Sequence, residues 1–213
     1  MNLFEEDNWI EKLKPLLEKY KDRKHPLDYE NLYQLMIAVI LSAQDSDANI
    51  NKITPTFYKE FPNLESLTDI EPEDLYPYIN KVRNFSTKSN WIIGIAKILK
   101  NNKNIPANLN DLIALKGIGR KSANVILREM NIPSQGIITD LHVIRVIPRF
   151  GLTKESEDGN KIEKQLMAIL PHEIWGEVGM AFSFLGREIC RPTNPKCTEC
   201  PINKDCLFHF KSN

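Results

Sequence analysis

Apolar residues recur along most of this chain at three- and four-residue intervals, the spacing of helices with one buried face. Trp9, Ile10, Leu13, Leu16 and Leu17 mark such a stripe over residues 8–20. From Glu30 to Ala43 the chain is apolar on nearly every side (Leu32, Leu35, Met36, Ala38, Val39, Ile40, Leu41), which predicts a helix surrounded by core. Gln44-Asp45-Ser46-Asp47 stops it, and Ser46 or Asp47 is placed to cap a further helix running toward Phe61. Glu71-Pro72-Glu73-Asp74, acidic with an early proline, opens one of the short helices expected between Ser66 and Asn80. Residues 87–101, 140–149, 159–170 and 173–187 complete the pattern, with Asp140 at the head of its helix. No clear alternation with a period of two appears, so the fold class is all-α. Trp9, Trp91 and Trp175 fall on apolar faces and read as core.

One stretch reads as a tight hairpin between two helices. Asn110 to Leu115 forms a short helical turn with Asn110 as its cap, and Gly117 and Gly119 reverse the chain, since glycine takes positive φ freely. A helix restarts at Arg120 and runs to Met130, with Ala123, Val125, Ile126 and Leu127 as apolar contacts. Arg120 and Lys121 occupy its first turn, where cations oppose the helix dipole. An anion bound to the free amides there relieves the mismatch. A hairpin of this kind is a phosphate clamp that grips a nucleic-acid backbone without reading sequence, through Lys116, Gly117, Gly119 and Arg120. On its own the segment is equally an ordinary corner between helices.

The 213 residues carry a formal net charge of +0, which by itself argues against a nucleic-acid binder. The charge is unevenly spread. Between Lys81 and Phe150 there are 12 Lys and Arg against 3 Asp and Glu, a local excess of +9 that makes the remainder −9. A basic segment inside a neutral protein is a footprint for a polyanion; the plainer reading is a set of solvated helix faces. The start is acidic (Glu5, Glu6, Asp7) and the longest apolar run, Leu35 to Leu41, is too short to span a bilayer. A soluble, cytoplasmic protein with no membrane partner is expected, and a reducing compartment argues against disulfides.

All four cysteines fall near the C-terminus as Cys190, Cys197, Cys200 and Cys206, spaced C-x6-C-x2-C-x5-C around Pro192, Pro195 and Pro201. Four thiolates on a short, kinked loop fold around a metal. Zinc sites usually show paired C-x2-C arms, and only one such arm exists here. A cubane is wider than one ion and suits the irregular spread, so a [4Fe-4S] cluster is preferred over zinc. Arg191 and Lys196 lie in the first ligand loop and are either phosphate contacts or surface charge.

Hairpin and cysteines together resemble the endonuclease III group of helix-hairpin-helix DNA glycosylases/AP lyases, over nearly the whole chain. Leu41-Ser42-Ala43-Gln44, with Asp47 and Asn51-Lys52, resembles the family's early helix and strand-inserting loop. Leu115 to Val125 resembles the hairpin bearing the catalytic lysine, Asp140-Leu141-His142-Val143-Ile144-Arg145-Val146 the segment bearing the catalytic aspartate, and Gly186-Arg187 with the cysteines the cluster end. The resemblance implies two helical domains with a cleft between them. Residues 24–134 would form a six-helix domain; residues 1–23 and 135–213 would form the cluster domain. Lys121 would stand on one wall of the cleft and Asp140 on the other, and Gln44 would fill the gap left when a base leaves the stack. Arg83-Asn84-Phe85 stands where a Gly-Leu-Tyr-like wedge is common, and Leu141 where a small hydroxyl residue is common.

The implied chemistry starts from the positive charge that builds on the sugar as a glycosidic bond breaks. A nearby carboxylate stabilises it, and an amine captures C1′ as a Schiff base, after which β-elimination cuts the strand. The amine must be neutral, although free lysine titrates near ~10.4; a helix N-terminus, Arg120 and partial burial all push Lys121 that way. The expectation is a monomeric base excision repair enzyme, cytoplasmic and nucleoid-associated. It would act on double-stranded DNA holding damaged bases, oxidised pyrimidines among them, or abasic sites. The alternatives are a non-catalytic iron–sulfur DNA-binding module, a monofunctional glycosylase and, more remotely, a ferredoxin-like electron carrier.

Overall fold

Helices and 3₁₀ turns, with no strand, make up the computed structural model over the described residues 8–212; the acidic Glu5, Glu6 and Asp7 lie outside them. In chain order the helices are α1 (Trp9–Tyr20), α2 (Leu32–Ser42), α3 (Asp47–Glu60), α4 (Tyr76–Ile79), α5 (Phe85–Leu99), α6 (Leu109–Ala114), α7 (Arg120–Glu129), α8 (Leu141–Phe150), α9 (Gly159–Ile169), α10 (Trp175–Glu188) and α11 (Leu207–Ser212). Among the described residues no helix is long and apolar enough to cross a membrane. The chain divides into two compact units. Lys24–Ile132 is one, and the segments up to Arg23 and from Pro133 onward form the other.

Local chemistry sets most boundaries. Helix starts leave amides without partners, and short polar side chains accept from them. Ser46 caps α3 by accepting from the Asn49 amide at 3.2 Å, and Asn31 caps α2 through Gln34 at 3.0 Å. The cap of α6 is Asn108, not Asn110: its extended backbone (φ −145, ψ 157) lets the side chain turn back to accept from the Asp111 amide at 3.0 Å. In α1, Leu13, Leu16 and Tyr20 are buried while Ile10 faces solvent.

In the Lys24–Ile132 unit α2 is the centre, packed on α3, α5 and α7 with Tyr33 and every residue from Leu35 to Leu41 buried. Each such aliphatic side chain contributes roughly 1.5–3 kcal/mol of transfer free energy, so this helix anchors the unit. The hairpin between α6 and α7 rests on Trp91 of α5. Gly117 has φ +100, and a Cβ built on it would lie 2.7 and 2.9 Å from two carbons of the Trp91 ring. Gly119 has φ −84, an ordinary extended value, so only the first glycine takes positive φ. In the other unit α10 packs on α8 and α1. Gly186 sets the α8–α10 approach, since a Cβ there would lie 2.8 Å from His142 Cβ and 3.0 Å from Val146 Cγ2.

A half-buried polar cluster ties the start of the first unit to the end of α7. Tyr29 donates to Glu129, which also pairs with Arg128. Beside it His25 accepts the Leu27 amide on Nδ1 at 3.2 Å. Burial holds His25 down to about 4, with Lys121 and Arg128 acting the same way and Glu129 and Asp47 opposing.

Two outcomes follow from these contacts. Gly117→Ala forces both a positive φ and a clash with an aromatic ring, so it lowers stability by about 1–3 kcal/mol in denaturant unfolding. A melt unchanged from wild type would contradict this reading of the hairpin. A histidine with a depressed pKa is protonated earlier when unfolded, so its contribution is complete above pH ~6.5 and is lost as pH falls toward 4, on the order of 2 kcal/mol. His25→Asn, whose side-chain oxygen also accepts from the amide two residues on, flattens unfolding stability across pH 4–6.5; an unaltered slope would contradict it.

Candidate active site and cysteine loop

Lys121 is the second residue of α7 and half-buried; Lys116 and Gly119 are exposed, and Gly117 and Arg120 half-buried. The helix starts from Gly119, which offers no side chain to cap it. A helix start of this kind carries the positive end of the helix dipole. The hairpin thus combines a positive-φ glycine, a helix start at a second glycine and two cations in one turn.

Gln44 sits at φ +59 in the exposed turn after α2. A second turn, residues 81–84, is pinned against it. Asp45 accepts from the Arg83 amide at 2.8 Å and from Asn49 at 3.0 Å, and the Asn49 amide group also donates to the Lys81 carbonyl at 3.2 Å. Burial opposes ionisation of Asp45, yet its hydrogen bonds from Arg83, Asn49 and Ser46 hold its carboxyl below the usual range. Asn84, also left-handed at φ +57, points its amide at Gln44 Oε1, 3.4 Å away. Beneath both turns Lys88 is 1% exposed and donates to the carbonyls of Leu41 and Ala43, each at 2.7 Å. It closes the C-terminal end of α2, where carbonyls lack helical partners. Burial pushes its pKa down. Phe85 lies edge-on against Tyr76, 5.0 Å between ring centres.

Asp140 is the N-cap of α8. Its Oδ1 accepts from the amides of His142 (2.8 Å) and Val143 (2.9 Å). Its Oδ2 accepts from the Ser183 hydroxyl at 2.6 Å and lies 3.8 Å from Arg187 Nη2. The capping role and a chemical role are compatible, because they use different oxygens. Leu141, the next residue, is 68% exposed.

All four cysteines are half-exposed, free of disulfides, and line one cavity with Arg149, Phe208 and Ile202. Arg149 knits the loop. It donates to Cys190 Sγ at 3.7 Å and to the carbonyls of Arg191 (2.8 Å) and Pro192 (3.1 Å), and stacks on Phe208 at 4.9 Å. The Cys206 thiol reaches the Arg149 carbonyl at 3.8 Å, so this one residue touches the first and last cysteines. Arg145 ties this loop to α10, donating to the carbonyls of Cys190 and Gly186. Arg191 is exposed, and Lys196 pairs with Glu199 at 3.3 Å.

Four free thiols lining one cavity are a donor set of the kind that holds a metal centre. Burial pushes the Cys200 thiol up to about 11, with the other three cysteines adding to the rise. Four thiolates so placed need a cationic partner between them. Among the described residues no group of three or more His, Cys, Asp or Glu side chains is drawn together tightly enough to hold a metal ion.

Sequence reasoning missed several of these residues. Of the 12 basic residues between 81 and 150, Lys88, Arg128, Arg145 and Arg149 are engaged internally, so the basic footprint is smaller than the count implied. The one local clue to Lys88 was its place on the apolar face of its helix, four residues before Ile92. Ser183 carried no signal at all.

Residues 37–172 match the HhH-GPD superfamily of base excision DNA repair proteins. The endonuclease III of Rickettsia prowazekii is 35% identical to this chain, over 87% of it and 88% of the relative. That of Synechocystis is 33% identical over 84% and 83%. The structure of a trapped endonuclease III–DNA covalent intermediate matches with a TM-score of 0.85 at 29% identity, covering 99% of both chains. A thermostable thymine-DNA glycosylase, 16% identical with a TM-score of 0.81 over 96% of this chain and 100% of its own, shares the fold. The chain belongs to the endonuclease III family, the DNA glycosylase/AP lyase branch of the HhH-GPD superfamily.

Proposed function

We propose that this protein removes damaged bases, oxidised pyrimidines foremost, from double-stranded DNA and then cuts the strand at the resulting abasic site. The observation that supports this most directly is the start of α7: a half-buried lysine one residue into a helix that opens at a glycine, behind a positive-φ glycine turn. The opening amides of α7, with Lys116, Gly117, Gly119 and Arg120, hold the backbone phosphates, and Lys121 is the nucleophile. Its neutral amine forms a bond to C1′ as the bond from C1′ to the base breaks, and the base leaves with the electron pair. The attached nitrogen gives up one of its two protons, the C1′–O4′ bond breaks as O4′ takes up a proton, and a protonated Schiff base results. Loss of a proton from C2′ then expels the 3′ phosphate, and water releases the lysine.

The Asp140 carboxylate stabilises the positive charge on the sugar during base departure. Gln44 enters the space vacated by the flipped base. Asn84 stands beside it as an amide where an apolar wedge is common, and exposed Leu141 follows Asp140, so lesion choice is set by these departures. Arg191 and Lys196 add phosphate contacts. Cys190, Cys197, Cys200 and Cys206 hold a [4Fe-4S] cluster, which supplies a rigid cross-link for the C-terminal loop and an electron-accepting centre. The protein acts as a monomer on chromosomal DNA.

Duplexes carrying one thymine glycol or one abasic site test the assignment. Wild type nicks both. Lys121→Gln fails to nick either, and Asp140→Asn slows base removal by about 10²–10³-fold. Nicking by Lys121→Gln at the wild-type rate would contradict the lysine's role, and duplex binding without any nicking by wild type would favour the non-catalytic module. For the loop, Arg149→Ala removes its clamp on Cys190 and lowers iron retention on dialysis by about tenfold. Iron content and visible absorbance equal to wild type would contradict it.

A further inference from the structure

Ser183 lies within α10, 0% exposed. A serine inside a helix usually turns its hydroxyl back to the carbonyl four residues earlier. Here it crosses to another element and donates to Asp140 Oδ2 at 2.6 Å, the short length of a charge-assisted bond. Arg187, one turn further along α10, donates through Nε to Ser183 Oγ at 3.4 Å. With that donor on its oxygen, the hydroxyl proton is directed to the carboxylate. Arg187 Nη2 lies 3.8 Å from the same Oδ2. The close approach that permits this is set by Gly186, where a side chain would collide with His142 and Val146 of α8.

We infer that Ser183 is a positioning residue for the reaction, acting through Asp140, with Arg187 orienting its hydroxyl. The inference rests on the proposed role of Asp140. The two carboxylate oxygens divide the work. Oδ1 is committed to the amides of His142 and Val143, which fixes the side chain along the axis of α8. Oδ2 would otherwise rotate and collect water; Ser183 holds it in one place. A carboxylate held before the sugar acquires charge has no reorganisation to complete during the reaction, and such preorganisation is what makes an electrostatic group effective. Because Ser183 is wholly buried, it cannot touch DNA, so its loss acts on the chemical step and leaves binding alone.

The test is a double-mutant cycle on the full chain with its cluster, read as single-turnover base removal from a thymine-glycol duplex at saturating protein. Affinity is measured separately on a duplex with a tetrahydrofuran abasic analogue. Saturating single-turnover rates do not depend on the fraction of protein recovered folded. Ser183→Ala is expected to slow base removal about ten- to hundredfold, the effect of misplacing a reacting group by an ångström or less, with Kd for the analogue unchanged. Ser183→Cys, close in volume but a weak donor, falls between, and supplies the measurement should the alanine variant not fold. Ser183→Ala added to Asp140→Asn produces no further loss, the non-additivity expected of residues acting as one unit. A wild-type rate for Ser183→Ala or Ser183→Cys, or a loss that fully adds to that of Asp140→Asn, overturns the inference and leaves Asp140 in place. A wild-type rate for Asp140→Asn overturns both together.

Discussion

The amides of His142 and Val143 need an acceptor, and Asp140 Oδ1 serves both, at 2.8 and 2.9 Å. That single capping interaction constrains much of what the C-terminal unit does. It starts α8, it aims the carboxylate, and it leaves Oδ2 for Ser183 and Arg187. An N-cap of this type is worth about 1 kcal/mol to a helix, enough to favour one rotamer of the Asp140 side chain. From the same helix Arg145 and Arg149 brace the cysteine loop, so α8 carries a proposed reactive group at one end and a clamp on the cysteine loop along its length.

The start of α7 is built on the opposite principle. Where α8 satisfies its first amides with the carboxylate of its own N-cap residue, α7 begins at Gly119, whose position supplies no capping side chain, with Arg120 and Lys121 in the turn that follows. One helix start carries a carboxylate on its first amides; the other carries two cations in its first turn. The turns around Gln44 and Asn84 add a third device, two left-handed residues held from beneath by a buried lysine. Backbone conformations of that kind cost free energy and persist only where surrounding contacts impose them.

Much of this was legible in the sequence because it is local. The apolar faces of α2 and α7, the Ser46 and Asp140 caps and the glycine hairpin depend on residues a few positions apart, and propensity and capping rules describe them well. The finer errors were local too: Asn108 and Asn110 are equivalent as sequence, and only the extended backbone at 108 decides between them. What stayed hidden is long-range. Ser183 reaches Asp140 across 43 positions, Lys88 reaches Leu41 across 47, and Arg149 reaches Cys190 across 41. A serine in an apolar helix and an arginine in a basic stretch look ordinary until the fold sets a carboxylate or a thiol beside them. Counting charges misled for the same reason, since it assigned to the surface four cations that the fold uses internally.

The central claim, that the amine in the first turn of α7 bonds to the sugar, is tested most directly by mapping the covalent adduct. Wild-type protein is reacted with an abasic duplex under borohydride, digested with nuclease and trypsin, and sequenced by mass spectrometry. The account predicts a reduced sugar on the peptide Lys121 to Arg128, with the tryptic cut after Lys121 blocked. An adduct confined to Lys116, to another lysine or to the amino terminus would contradict it.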